Sequence, residues 1–270
     1  MDLLTARSAR VREARQLTLG KHRRERGQFL AEGPQAVREA LRSGMALEVL
    51  VEQGESERWD DELRLARVAE LPVHLVDHGA IRALSTAQTP QGIVAICRWA
   101  PGTLAEVLAH PDPRQLAFAH EMADPGNAGA LIRVADAAGA DAVALSDRSV
   151  DPTNPKCVRA SAGSLFHLPV VSGGRTLDAI RAMRAARTRV LAADVTVDAT
   201  DLFAAERGGL LDGRIAWVFG NEAHGLPGEV LAAVDHVVRI PILGDAESMN
   251  LATAAAVCLY AYARRQEAQG

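Results

Sequence analysis

The stretch LAFAHEMADPGNAGALIRVADAAGADAVALS, residues 116–146, decides the fold class. LAFAHEM (116–122) is a short apolar run of strand type. Asp124-Pro125-Gly126-Asn127 follows as strong turn chemistry, the pattern then predicts a helix over about 129–139, and DAVALS (141–146) reads as a second strand. Strand, helix and strand in so short a span make the repeating unit of a parallel sheet.

Downstream the alternation continues. HLPVV (167–171), RVLAAD (189–194), IAWVFG (215–220) and HVVRIP (236–241) read as strands, with helical patterns at about 154–161, 176–187 and 227–234. A last helix is expected from about Ser248 to Gln266, with Leu251, Ala254, Ala255, Cys258, Leu259 and Tyr262 on one face. Such alternation predicts a mostly parallel sheet covered on both faces, with ligands bound beyond the carboxyl ends of its strands. Upstream lies a smaller α/β pattern. It starts with a basic amphipathic stretch (Val11 to Leu19) and the strand-like GQFLAEG, followed by a helical pattern over Pro34–Ser43. LEVLV (47–51), a charged helix around 60–69, VHLV (73–76) and GIVAIC (92–97) complete it. Pro101-Gly102 and the Pro111/Pro113 pair punctuate the stretch between, so the division reads 1–98, a linker over 99–114, and 115–270.

Composition narrows the class. With 48% hydrophobic and 24% charged residues the chain is globular rather than disordered or collagen-like. The net charge of −4 argues against a strongly basic nucleic-acid binder, but residues 1–30 hold eight Arg or Lys against three acids. That basic end is either a phosphate-binding face or a solvated helix. Cys97, Cys157 and Cys258 lie far apart with no CxxC pair, which excludes a disulfide framework or zinc site and fits a reducing cytoplasm. The start lacks the apolar core of a secretory signal, and the run from Leu251 to Ala263 is too short to span a bilayer. No membrane association and no metal are expected.

Three loops after strands carry chemistry. The first, at 123–141, exposes backbone N–H groups at a helix start and places Arg133 between Ile132 and Val134. Arg133 reads either as one solvated arginine on a core helix or as a fork for a phosphate or a developing oxyanion. In the second, VFGNEAHGLP (218–227), Gly220 permits close backbone approach and Glu222 precedes a helix, where the macrodipole favours an acid. The third, IPILGDAESMNLATAAAV (240–257), brings Ser248, Met249 and Asn250 to a helix start, as simple caps or as one wall of a small-molecule pocket. A P-loop, a GxGxxG after a strand, GxSxG and HExxH are all missing, so a cofactor site needs another design.

In this order and spacing, the three loops resemble the signature motifs of the SpoU (TrmH-type) RNA 2′-O-ribose methyltransferases, of the SPOUT class. DPTNPKCVRASAGSLFHLPV (151–170) resembles the family's segment after its second strand. RERGQFLAEGPQAVREAL (24–41) and STAQTPQGIVAIC (85–97) resemble the small RNA-binding domain that many members carry. The resemblance covers nearly the whole chain. It implies an N-terminal α/β RNA-binding domain, a C-terminal α/β domain with a parallel sheet and a deep trefoil knot, S-adenosylmethionine as methyl donor, and a homodimer whose sites take residues from both subunits. It implies catalytic roles for Asn127, Arg133, Glu222, Ser248 and Asn250. The donor pocket it implies is formed by Gly220, Ile240, Leu243, Ser248, Met249 and Asn250. The RNA-docking set is Arg7, Arg10, Lys21, Arg23, Arg24, Arg26 and Arg159. Met249 stands where many members have Leu, and Ser164 where many have Ala; both are small changes. The expected substrate is ribosomal RNA, with transfer RNA and a non-catalytic RNA-binding homologue as alternatives.

Overall fold

A computed structural model describes residues 3–110, 115–196 and 198–268, which form two compact units. One comprises residues 1–100 together with 151–167; the other comprises 101–150 and 168–270. Pro111, Pro113 and Arg114, from the end of the expected linker, lie outside the described residues.

The first unit begins with α1 (Ala9–Arg15) and, after a single 3-10 turn, α2 (Gly20–Arg26). The basic stretch expected over residues 11–19 covers most of α1 and the 3-10 turn and ends where α2 begins. A backbone extended at Leu19 (φ −99°, ψ 128°) separates the two helices. Then come β1 (Gln28–Glu32), α3 (Pro34–Arg42), β2 (Ala46–Glu52), α4 (Asp60–Val68), β3 (Val73–Val76), α5 (His78–Leu84) and β4 (Ile93–Arg98). The sheet order is β1-β4-β2-β3, antiparallel except for the parallel β2–β3 pair. Val11, Leu17, Leu50, Ile81 and Ile96 build its core. α5 escaped the sequence reading; its start is fixed by the Asp77 carboxylate, which accepts from Ala80 N–H at 2.7 Å.

The second unit opens with α6 (Leu104–Ala109), inside the stretch read as linker. Prolines and a glycine punctuate that stretch, yet Thr103 and Glu106 form a reciprocal capping box that nucleates a turn and a half. The chain continues through β5 (Gln115–Ala119), α7 (Pro125–Ala137) and β6 (Ala142–Leu145). It contributes α8 (Pro155–Ala160) to the first unit, then returns as β7 (Val170–Ser172), α9 (Thr176–Ala185), β8 (Arg189–Ala193), β9 (Thr200–Asp201) and α10 (Leu202–Arg207). β10 (Ile215–Phe219), α11 (Gly228–Leu231), β11 (His236–Arg239) and α12 (Leu251–Glu267) complete it.

All seven strands of this unit are parallel, in the order β7-β6-β5-β10-β8-β11-β9. Every residue of β5 and β10 is buried, as expected of central strands covered on both faces. Leu116, Phe118, Ile180, Met183, Val218 and Val230 fill the core beneath α6, α9 and α11. α12 packs with α7 and α10 and against β5, β8 and β10. It starts at Leu251 rather than Ser248 because Asn250 caps it, its side-chain oxygen accepting from Ala252 N–H at 3.0 Å and Thr253 N–H at 3.3 Å. From β5 the chain moves outward to β6 and β7, then crosses to β8 on the other side. The sheet therefore has a switch point in the middle, where ligands bind in open α/β sheets.

Candidate active site

A cavity of about 460 Å³ opens at the carboxyl ends of β8, β10 and β11. Each wall is built from a loop whose local sequence fixes its shape. At the start of α7, the Asp124 carboxylate accepts from the Asn127 N–H at 2.8 Å and Pro125 occupies the first turn, which sets Asn127 at the cavity edge. After β10, Asn221 and Gly225 exchange two backbone hydrogen bonds, at 3.0 and 2.8 Å, and Gly225 takes the left-handed conformation (φ +64°). This tight turn crowds Gly220. A Cβ there would lie 2.6 Å from the Gly225 carbonyl carbon and 2.9 Å from the Leu226 nitrogen, so only glycine fits. After β11, the chain runs through Ile240 and Ile242 to Ser248, Met249 and Asn250, which line the third wall.

A chain of side-chain hydrogen bonds ties the three loops together. The Asn250 amide donates to Asn127 Oδ1 at 3.1 Å, and the Asn127 amide donates to Glu222 Oε1 at 3.1 Å. Of the residues singled out from the sequence, Asn127, Gly220, Glu222, Ile240, Ser248, Met249 and Asn250 meet at this cavity. Leu243 does not: its side chain is 92% exposed, and the preceding Ile242 faces the cavity instead. Arg133 is also outside the cavity lining. It is exposed on α7 and makes no hydrogen bond or ion pair with the described residues. Asp194 and Val238 line the site from outside the three motifs, and Phe219 and Asn221 line it from within the second motif without having been singled out. All four lie near or beyond a strand's carboxyl end, the signal that could have found Asp194 and Val238.

The basic set of the first unit divides in two. Arg23 is 4% exposed; it bonds Asp151 Oδ2 at 2.7 Å, Thr153 Oγ1 at 3.1 Å and the carbonyls of Leu17 and Thr18, so it is an internal tie and not a docking group. Arg159 is similarly occupied, bonding Glu32 at 2.9 Å and Thr86 at 2.5 Å. Arg10 pairs with Glu48 and Glu13, Arg26 with Glu13 and Gln16, and Lys21 sits 3.8 Å from Glu25. Arg7 and Arg24 are exposed, and neither side chain has a partner among the described residues.

The cavity suits an amphiphilic nucleoside. Its size is within the range of cofactor pockets, Phe219, Val238, Ile240, Ile242 and Met249 supply apolar wall, and Gly220 lets a ligand meet backbone. Cys97 and Cys258 offer no thiolate: both are fully buried, which pushes both thiols far above the range of a reactive thiolate. Among the described residues no cluster of three or more His, Cys, Asp or Glu could hold a metal ion.

Residues 114–260 match the model of the SpoU rRNA Methylase family. The chain belongs to that family. Residues 8–95 match an MRM3-like substrate binding domain. Over 262 residues, 95% of this chain and 96% of the other, it is 32% identical to the 23S rRNA (guanosine(2553)-2′-O)-methyltransferase RlmP of Bacillus subtilis. It is 31% identical to the 23S rRNA (uridine(2479)-2′-O)-methyltransferase of Streptomyces viridochromogenes, covering 97% of this chain and 92% of that one. The crystal structure of an AdoMet-bound rRNA methyltransferase from Sinorhizobium meliloti superposes with a TM-score of 0.84 at 30% identity, covering 98% of each chain.

Proposed function

We propose that this SpoU protein transfers a methyl group from S-adenosylmethionine to a ribose 2′-hydroxyl of ribosomal RNA. The observation that carries the reading is the Asn250–Asn127–Glu222 chain at the rim of a nucleoside-sized cavity. The walls named above would hold the donor, and when bound it supplies an electrophilic methyl on a sulfonium.

The chain's own residues then have to orient and acidify a hydroxyl. Glu222 and Asn250 hold the Asn127 amide from both sides, which fixes where that amide offers hydrogen bonds. Ser248 adds a hydroxyl on the same rim. Arg133 offers a planar guanidinium fork, so its part is electrostatic: it grips a neighbouring phosphate and stabilises the forming alkoxide.

Because Arg133 lies on the same helix as Asn127 yet outside the cavity, we assign it to the site of a second copy in a homodimer. Mixing an inactive Arg133→Ala protein with an inactive Glu222→Ala protein should restore part of the activity through hybrid dimers. No restoration under subunit exchange would place Arg133 in its own chain's site. Support for the family's trefoil knot comes from the C-terminal course: β11 lies beyond β8, while α12 returns across β8, β10 and β5 to α7. RNA docking falls to the exposed cations of α1 and α2 and the preceding turn, Arg7 and Arg24 foremost, with Arg10, Lys21 and Arg26 on their flanks. A cytoplasmic location fits the proposed substrate, and among the described residues no helix is long and apolar enough to cross a membrane.

The function is tested by incubating the protein with methyl-labelled donor and unmodified 23S rRNA, with bulk tRNA in parallel. Label in rRNA is the expected result. Label confined to tRNA would replace the substrate, and none in either, with donor bound, would favour a non-catalytic RNA-binding homologue.

A further inference from the structure

Asp194 follows β8 directly, and its N–H bonds the Val238 carbonyl at 3.1 Å, so its position at the cavity wall is fixed by the sheet. Its carboxylate has no hydrogen-bond or ion-pair partner among the described residues, although it is half-buried. Oδ2 lies 3.6 Å from where a Cβ on Gly225 would stand, beside the turn that closes against Gly220. An unpaired carboxylate drawn partly out of water is unfavourable unless a ligand compensates it.

The cavity lining contains two acids, Asp194 and Glu222, and no Lys, Arg or His. Glu222 already accepts from Asn127, whereas Asp194 is uncommitted. A cavity of this volume is about 10 Å across, comparable with the Debye length of about 8 Å, so the Asp194 charge is felt throughout it. Methyl transfer changes the charge of what sits there: the sulfonium donor carries one positive charge more than its thioether product, and the two are otherwise alike apart from the methyl.

We propose that Asp194 makes the cavity selective for charge, holding the sulfonium donor in preference to the neutral thioether left after transfer. This rests on the donor-cavity reading above. Asp194 is thereby a specificity-determining residue that speeds product exchange rather than a group in the methyl-transfer step itself.

The test is titration calorimetry of S-adenosylmethionine and S-adenosylhomocysteine on the unaltered protein, Asp194→Asn and Asp194→Glu, with thermal melts to check folding. Asp194→Asn should weaken the sulfonium ligand roughly fivefold to tenfold while moving the thioether less than about twofold. Asp194→Glu, which keeps the charge, should preserve the ratio of the two affinities, and it carries the test if the Asn variant does not fold. Equal weakening of both ligands would overturn the inference and make Asp194 a partner of the shared ribose or ammonium; no change in either would overturn it as well. If the unaltered protein binds neither ligand, it is the donor-cavity reading that fails, and this inference with it.

Discussion

Gly220 cannot accept even a methyl group, because that methyl would meet backbone rather than a side chain that can turn aside. Gly220→Ala should therefore push the 221–225 turn outward, at a cost of about 1–3 kcal/mol, typical of overpacking. A lowered melting temperature with lost donor binding is expected; an unchanged donor affinity would show that the turn does not shape the pocket. Arg133 is the opposite kind of residue, unpaired among the described residues and free to change without strain. Arg133→Ala should lower turnover by about 10²–10³, the usual cost of removing one charge-stabilising donor, with donor affinity and melting temperature little changed. Parallel losses in all three would make it structural. Both residues were legible as members of motifs, but only the folded structure separates them. Gly220 is fixed by a contact with Gly225, five positions on, whereas the place of Arg133 relative to the cavity depends on the direction in which α7 presents it.

Among the elements, α12 shows what a short pattern can and cannot say. Of the expected apolar face, Ala255, Cys258, Leu259 and Tyr262 are buried, whereas Leu251 and Ala254 are only partly covered and line the cavity. Its start was not legible, since Ser248 and Asn250 are both good caps and only the backbone decides between them. Asn250 caps the helix with its oxygen and holds Asn127 with its nitrogen. Asn250→Ala should cost about 1 kcal/mol of stability through the lost cap, whereas Asn250→Asp should keep the cap and lose only the amide donor. If Asp preserves stability but not activity, the link to Asn127 matters for the reaction; if both variants are equally active, it does not. α6 was missed for a related reason. Pro and Gly around a segment mark a loop boundary, and the Thr103–Glu106 capping box inside it is a weaker signal than the punctuation.

At the scale of the molecule, most of the alternating strands and helices of both units were legible, α5, α6, β9 and α10 excepted, because buried strands advertise themselves as apolar runs. The assignment of 151–167 to the first unit was not. It depends on pairs far apart in sequence, Arg23 with Asp151 and Glu32 with Arg159, and no local pattern encodes such a partner. The same pairs change the meaning of the basic N-terminal region, whose arginines look alike in sequence. Arg23→Ala leaves a half-buried Asp151 without its partner, and should cost on the order of 3 kcal/mol of stability. Arg24→Ala should leave the melting temperature in place and weaken RNA binding with a shallower salt dependence. The reverse pattern, with Arg23 controlling RNA affinity at constant stability, would return it to the docking surface.

Ribose 2′-O-methylation by this chain is tested most directly by where the methyl ends up. After transfer from labelled S-adenosylmethionine into 23S rRNA, alkaline hydrolysis should leave the label in alkali-stable dinucleotides, since a methylated 2′-oxygen can no longer attack its phosphate. Label released in ordinary mononucleotides would mean that a base had been methylated, and would contradict the account.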